Sequence, residues 1–181
     1  MINKILIAVD CCQNNRSVFD SALSQAQASN ATLMLLHVMS ETETDYPILP
    51  TYHYYSVLND REYDTYIIKN IEEYKQQGRN FLHNLTKEAT AAGVKTEYAQ
   101  LSGIPGRDIC EIADIWLADL IVVGDRGLKG LKEMFVGSVS SYVTHHAPCS
   151  VLIVHTPIDT ESVRQPFESN QVVEQFATSE S

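Results

Sequence analysis

The stretch Leu120-Ile121-Val122-Val123-Gly124, with the later run Ser150-Val151-Leu152-Ile153-Val154, decides the fold. Both runs are short, apolar and rich in β-branched residues, which is typical of parallel strands buried on both faces. Between them, residues 139–146 have a helical pattern that Ala147-Pro148 ends. This part of the chain therefore predicts a strand, a glycine-rich loop, a helix and a second strand.

The glycines of this unit are placed for binding an anion. Gly124, Gly127 and Gly130 follow the first strand, and Gly137-Ser138 opens the helix. Glycine lets backbone N–H groups approach a ligand closely, and a helix N-terminus adds unpaired donors and the positive end of its dipole. We expect phosphate to bind here, with the Ser138 hydroxyl either capping the helix or contacting a phosphate oxygen.

The spacing excludes the two commonest nucleotide-binding loops. A Walker A loop ends in Gly-Lys-Ser/Thr, but Leu131 follows Gly130. A dinucleotide-binding loop needs Gly-x-Gly-x-x-Gly, and the segment 124–127 lacks the middle glycine.

Strand-like and helix-like segments alternate along the rest of the chain. Residues 5–9, 31–38 and 94–100 are predicted strands, and residues 17–28, 67–92 and 107–117 are predicted helices. This alternation is typical of a parallel sheet with helices on both faces. The sequence predicts an α/β fold, an open parallel five-stranded sheet of the Rossmann-like type.

Asp10 directly follows the first predicted strand. The carboxyl end of a central strand is where such sheets bind ligands, so Asp10 is a candidate ligand contact. The alternative is that Asp10 caps the following helix. His37, at the end of the second strand, is predicted to be a core or edge histidine with satisfied hydrogen bonds and not a ligand.

Composition argues against several classes of partner. The 181 residues carry 13 Lys and Arg against 23 Asp and Glu, a formal net charge of −10. An acidic chain without a basic stripe is not suited to nucleic acid or to an anionic membrane surface. No apolar stretch approaches the ~20 residues of a membrane span, and no signal peptide is evident, so we expect a cytoplasmic protein. The four cysteines are expected to be free thiols.

The glycine spacing, together with its flanks, resembles one known family. Gly124-x-x-Gly127, nine further residues and Gly137-Ser138, between the flanks 119–124 and 146–154, is similar to the ATP-binding branch of the universal stress proteins. The resemblance implies an adenine nucleotide alpha hydrolase-like fold and bound ATP, ADP or AMP, with Mg²⁺ or Mn²⁺ held by the phosphates. The nucleotide-binding positions that it implies are Ala8, Val9, Asp10, Val38, Gly124, Arg126, Gly127, Gly137, Ser138, Val139 and Ser140.

The resemblance also implies a homodimer. Residues 150–154 would form an edge strand with a long apolar row, which natural proteins seldom leave bare. Members of the family pair two such strands across a two-fold axis. The implied interface residues are Val151, Leu152, Ile153 and Val154.

Two positions depart from the family pattern. Arg126 stands where many relatives carry histidine or another polar residue, and it could contact phosphate or pair with Asp125 or Glu133. Cys11-Cys12 stands where the family often has Gly-Ser. These cysteines are either structural or a redox control of nucleotide binding.

The domain prediction is one universal stress protein domain over residues 1–156, with an insertion at about 41–66 and a mobile acidic tail at 157–181. The insertion is rich in tyrosine, and it could fold over the nucleotide, offer a surface to a protein partner, or be a partly ordered excursion. The sequence alone does not choose among these three.

No nucleophile with an adjacent base, Walker B acid or zinc cluster is evident, so we expect a binding protein and not an enzyme. The predicted function is a stress-response regulator that binds ATP as a homodimer and changes its partner surface with nucleotide state. One alternative is a slow ATPase that uses Ser138, Ser140 and Arg126. The other is an interaction protein that has lost the nucleotide, an alternative that Cys11-Cys12 keeps open.

Overall fold

A computed structural model describes residues 1–10, 16–40, 60–125 and 137–155, with the side chains of the long second helix described from residue 68. The strands are β1 (Lys4–Ala8), β2 (Thr32–Met39), β3 (Thr96–Ser102), β4 (Leu120–Gly124) and β5 (Ser150–Val154). The helices are α1 (Arg16–Ser29), α2 (Asp60–Ala91), α3 (Pro105–Trp116) and α4 (Ser138–His146).

The strands form one parallel sheet in the order β3-β2-β1-β4-β5. The predicted five-stranded parallel α/β fold is therefore confirmed. The order reverses direction at β1, since β2 lies on one side of it and β4 on the other. Sheets of this kind bind ligands at the carboxyl ends of the strands beside such a switch point.

The sheet is covered on both faces, and alternate residues of each strand point to opposite sides. In β2, Leu33 and Leu35 join the core beneath α1 and α2, whereas Met34 and Leu36 join the core beneath α3 and α4. Because both faces are buried, the central strands are apolar at nearly every position, as their sequences indicate.

One predicted boundary is wrong. Helix α2 begins at Asp60, earlier than the predicted start at residue 67, so the last residues of the predicted insertion are helical. The helical periodicity there is hidden among the tyrosines of the segment. The remainder of that segment, residues 41–59, and the predicted tail at 157–181 lie outside the described residues.

Asp119 joins the amino ends of β1 and β4 through hydrogen bonds. Its carboxylate accepts hydrogen bonds from the N–H groups of Asn3 and Lys4, at 2.7 and 2.9 Å. These bonds lower the pKa of Asp119. Its own N–H donates to the Lys4 carbonyl at 2.9 Å. The register of β1 against β4 is thus fixed at the end of the sheet opposite the predicted site.

Two glycines allow helices to pack closely. A Cβ at Gly78 of α2 would lie 2.9 Å from the His37 Nδ1 on the sheet. A Cβ at Gly106 of α3 would lie 2.9 Å from the Cβ of Tyr142 on α4. The second contact sets how closely α4 lies against α3, and so helps to fix the helix that begins at Gly137.

None of the helices that the structure describes is both long and apolar enough to cross a membrane.

We expect Gly106→Ala to lower the free energy of unfolding by about 1–3 kcal/mol. The new methyl group meets a Cβ, which cannot swing away as the end of a long side chain would. The higher helix propensity of alanine, roughly 1 kcal/mol over glycine, offsets part of the overpacking penalty, so the net loss should lie towards the lower end of this range. Urea denaturation measures the difference. Glu111→Ala, at an exposed position of α3, is the control and should leave stability nearly unchanged; a Gly106→Ala protein as stable as this control would contradict the prediction.

Candidate nucleotide site

Strands β1 and β4 stop pairing with each other before either strand ends. Within the described chain, the pairing of β1 with β4 ends at Ile7↔Val122. Beyond that point β1 follows β2, since the Val9 N–H donates to the Leu36 carbonyl at 2.9 Å. Strand β4 follows β5, since Gly124 pairs with Val154 and the Asp125 N–H donates to the Val154 carbonyl at 3.0 Å. β1 and β4 therefore diverge at their carboxyl ends, the place where sheets of this kind bind ligands, and we call the space between these two ends the crevice.

Helix α4 begins beside the end of β4. Its N-cap is Gly137, whose N–H donates to the Asp125 carbonyl at 3.3 Å. The first bond of the helix runs from the Ser141 N–H to the Gly137 carbonyl at 2.8 Å. The N–H groups of residues 138–140 therefore have no acceptor within the helix. Glycine has no side chain to cap them, and no residue in the described parts of the chain accepts from them, so they can bind an anion.

The two serines of this turn differ. Ser138 is exposed at the first helical position, so it does not occupy the N-cap and the capping alternative for its hydroxyl is wrong. Ser140 is buried, and its hydroxyl donates to the Gly137 carbonyl at 3.0 Å. The structure thus gives Ser140 a local role that stabilises the start of the helix. Val139, between them, packs against the core under α3 and α4.

The end of β1 forms the other wall of the crevice. Ala8 and Val9 are packed into opposite cores, and Asp10 is half-buried at the rim. Helix α1 begins at Arg16, so Asp10 does not stand at its N-cap and the capping alternative is wrong. Val38 lies near the end of β2, one strand further from β4.

The structure therefore brings together, at one edge of the sheet, all the predicted nucleotide-binding positions that it describes: Ala8, Val9, Asp10, Val38, Gly124, Gly137, Ser138, Val139 and Ser140. Arg126, Gly127, Cys11 and Cys12 lie outside the described residues. Their predicted roles remain predictions.

Sequence reasoning missed His155. Its Nδ1 bonds to the Asp125 carboxylate, so the residues that directly follow β4 and β5 are joined. The contact could have been predicted from the pairing of β4 with β5, because the residues that follow two paired parallel strands are neighbours.

His37 is buried as predicted, at 1% exposure, but it is not fully satisfied. Its Nδ1 lies 3.5 Å from the Gln100 Nε2, and its Nε2 has no hydrogen-bond partner among the residues that the structure describes. Burial lowers the pKa of His37, and the Asp10 carboxylate offsets part of that effect. The neutral imidazole is therefore the form that the fold favours.

The described residues contain no cluster of three or more His, Cys, Asp or Glu that could hold a metal ion. Burial raises the pKa of the Cys110 and Cys149 thiols. Both therefore behave as small apolar side chains near the α3 core and not as thiolates.

The fold and the crevice define an open parallel α/β protein with a site at its switch point and a helix N-terminus facing that site. A family model described as the universal stress protein family matches residues 1–155. The chain belongs to this family, which confirms the family that the glycine spacing and its flanks indicate.

Two curated relatives show how far the similarity extends. Universal stress protein Sll1388 of Synechocystis sp. is 37% identical over 151 residues, which cover 83% of this chain and 96% of the relative. Universal stress protein YxiE of Bacillus subtilis is 35% identical over 154 residues, covering 85% and 99%.

Two solved structures agree in fold. The hypothetical protein MJ0577 has a TM-score of 0.67 at 24% identity, covering 87% of this chain and 98% of that one. A universal stress protein in complex with cAMP has a TM-score of 0.58 at 29% identity, covering 86% and 99%. The second neighbour thus binds an adenine nucleotide.

The buried His37 predicts a pH dependence of stability. Above about pH 6.5 the imidazole is mostly neutral in both the folded and the unfolded chain, so its protonation does not change the free energy of unfolding. Below that pH the unfolded chain takes up a proton first, because the folded pKa is lowered. Wild type should therefore lose about 1.4 kcal/mol per pH unit relative to His37→Gln, until the folded pKa is reached.

Urea denaturation of both proteins between pH 7.5 and pH 5 measures this difference. His83→Gln removes an exposed histidine of α2 and should keep the wild-type pH dependence. Parallel curves for wild type and His37→Gln would show that His37 is not held neutral.

Proposed function

We propose that this protein binds an adenine nucleotide, ATP in the first instance, in the crevice between β1 and β4, and acts as a regulatory homodimer in the stress response. The observation that carries the proposal is the separation of β1 from β4 in front of the uncapped first turn of α4. Free N–H donors and a positive dipole end favour a phosphate chain at this place. Family membership and the cAMP-binding neighbour support the adenine nucleotide.

In this proposal the residues divide into three groups. The N–H groups of Ser138, Val139 and Ser140 bind phosphate oxygens. Gly124, Arg126, Gly127 and Gly137 contact the same phosphate chain. Asp10 accepts from the ribose hydroxyls, because a carboxylate at the rim is a strong acceptor. The backbone near Ala8, Val9 and Val38 contacts the base, and Ser140 holds the helix start. Mg²⁺ or Mn²⁺ is held by the phosphates and water.

The proposal concerns binding, with slow hydrolysis and a nucleotide-free interaction protein as the alternatives. Nucleotide released on denaturing the purified protein, and phosphate release over many turnovers, distinguish the three. The cytoplasm is the compartment that the proposal requires, since ATP is abundant there.

The sharpest test introduces a carboxylate at the N-cap. The backbone of Gly137, at φ −54° and ψ 156°, is open to any residue, and aspartate is a favoured N-cap. Gly137→Asp should therefore keep or raise thermal stability. Its carboxylate occupies the donors that we assign to phosphate and repels the nucleotide, so ATP affinity should fall by about 10-fold or more. Calorimetric titration with ATP measures the change.

Gly137→Asn is the matched control, because it caps the helix without a charge. It should weaken ATP binding much less than Gly137→Asp does. Equal ATP affinity in wild type and Gly137→Asp would refute a phosphate site at α4, and a wild type that binds no ATP, ADP or AMP would refute the whole proposal.

The dimer belongs to the same proposal. Strand β5 is at the end of the described sheet, with β4 as its neighbour, and Leu152 and Ile153 are 37% and 36% exposed. An edge with free backbone groups and exposed apolar side chains is suited to pairing with a second copy. Val151 and Val154, at either side, would extend the interface.

We expect a dimer at micromolar concentration and a monomer for Leu152→Lys/Ile153→Lys, because a lysine on each face of the edge strand opposes pairing. Sedimentation velocity measures the mass. Ile115→Lys is the control, since Ile115 is 71% exposed on α3 and should not affect assembly. A monomeric wild type, or a double variant that remains dimeric, would count against this interface.

A further inference from the structure

Asp125 is a junction between three elements. Its N–H donates to the Val154 carbonyl of β5, and its carbonyl accepts from the Gly137 N–H at the start of α4. It directly follows Gly124, the last residue of β4. Its carboxylate bonds to the Nδ1 of His155, the residue that follows β5. One residue therefore ties the ends of β4 and β5 to the N-cap of α4.

The carboxylate of this residue is a disadvantage for an anion site. The Gly137 nitrogen lies 3.3 Å from the carbonyl oxygen of Asp125, so the side chain of Asp125 is within about one Debye length, ~8 Å, of the first turn of α4. A negative charge at that distance repels phosphate, and it would itself be attracted by the positive end of the helix. The Asp125 carboxylate by itself therefore opposes the nucleotide's phosphate chain.

His155 offsets part of that charge. A carboxylate only accepts hydrogen bonds, so the Nδ1 of His155 carries the hydrogen of this bond. The bond directs the carboxylate towards the end of β5 and places the positive end of the N–H dipole against its negative charge. The Asp125 side chain is 22% exposed and that of His155 is 84% exposed, so the pair is partly screened and its effect on a ligand is moderate.

We propose that the Asp125–His155 pair sets the preference of this site for long phosphate chains over short ones, with His155 acting as a positioning residue through Asp125. The inference rests on the proposed nucleotide binding. ATP brings more negative charge to the start of α4 than AMP does, so ATP gains more from the compensation of Asp125. The ligand class concerned is the nucleoside polyphosphates.

The test is a double-mutant cycle on the full chain at one pH and ionic strength, with affinities for ATP and for AMP measured by calorimetry. His155→Gln should weaken ATP binding on the order of 3- to 10-fold and AMP binding less, so the ratio of the two affinities falls. Asp125→Asn should not weaken ATP binding, because it removes the repelling charge. In the Asp125→Asn protein, His155→Gln should change ATP affinity by less than about 2-fold.

Two outcomes would overturn the inference. Equal weakening of ATP and AMP by His155→Gln would mean that His155 only holds β5 in place. An unchanged effect of His155→Gln in the Asp125→Asn background would mean that His155 does not act through Asp125. His145→Gln, at the far end of α4, is the matched control and should leave the ratio unchanged. Thermal melts of all variants establish that they fold, and His155→Asn replaces His155→Gln if the latter does not.

The nucleotide affinities of the wild type distinguish a failure of this inference from a failure of the proposed function. A wild type that binds neither nucleotide refutes both. A wild type that binds ATP and AMP, with a preference that His155→Gln leaves intact, refutes the inference and keeps the proposed function.

Discussion

The structure depends on how β1 and β4 are paired. The two strands are joined at their amino ends and separate at their carboxyl ends. At the amino end, the Asp119 carboxylate binds the N–H groups of Asn3 and Lys4, so β1 and β4 start in a fixed register. Three residue pairs later their mutual pairing ends, and each strand follows its outer neighbour. The backbone pairing itself thus separates β1 from β4 at the carboxyl ends, where the crevice lies.

The sequence predicts the scaffold well because burial on both faces leaves a strong pattern. Leu120–Gly124, buried at four of its five positions, is apolar throughout, and its bounds agree with prediction to within a residue. Ser150–Val154 has the predicted bounds although its side chains are largely exposed at the end of the described sheet. The start of α2 was missed, because its first turns lie among tyrosines that have no clear apolar stripe. Local periodicity thus predicts the elements whose sequences carry an apolar stripe, and it fails at the first turns of α2, where the sequence has none.

The sequence predicts those residues of the candidate site that lie at the end of a strand or at the start of a helix, because these positions can be recognised locally. Gly137 at a helix start and Asp10 at a strand end are local features, and the fold brings them to one edge. The contact of Asp125 with His155 joins residues 30 positions apart, and it follows from strand pairing, which no local pattern reports. The same holds for His37, whose buried and half-satisfied imidazole results from the close approach of Gly78 on a helix far along the chain.

The first turn of α4 shows how stability and binding oppose each other at this site. A serine or aspartate at the N-cap would satisfy an N–H group and add roughly a few tenths of a kcal/mol over glycine, yet the chain has glycine there. Ser140 satisfies only a carbonyl, so the donors of the turn remain available. Leaving these donors without a side-chain acceptor therefore has a small cost in stability. An anion that binds these donors would recover that cost, so the stability of the domain and its affinity for phosphate are coupled through the same three N–H groups.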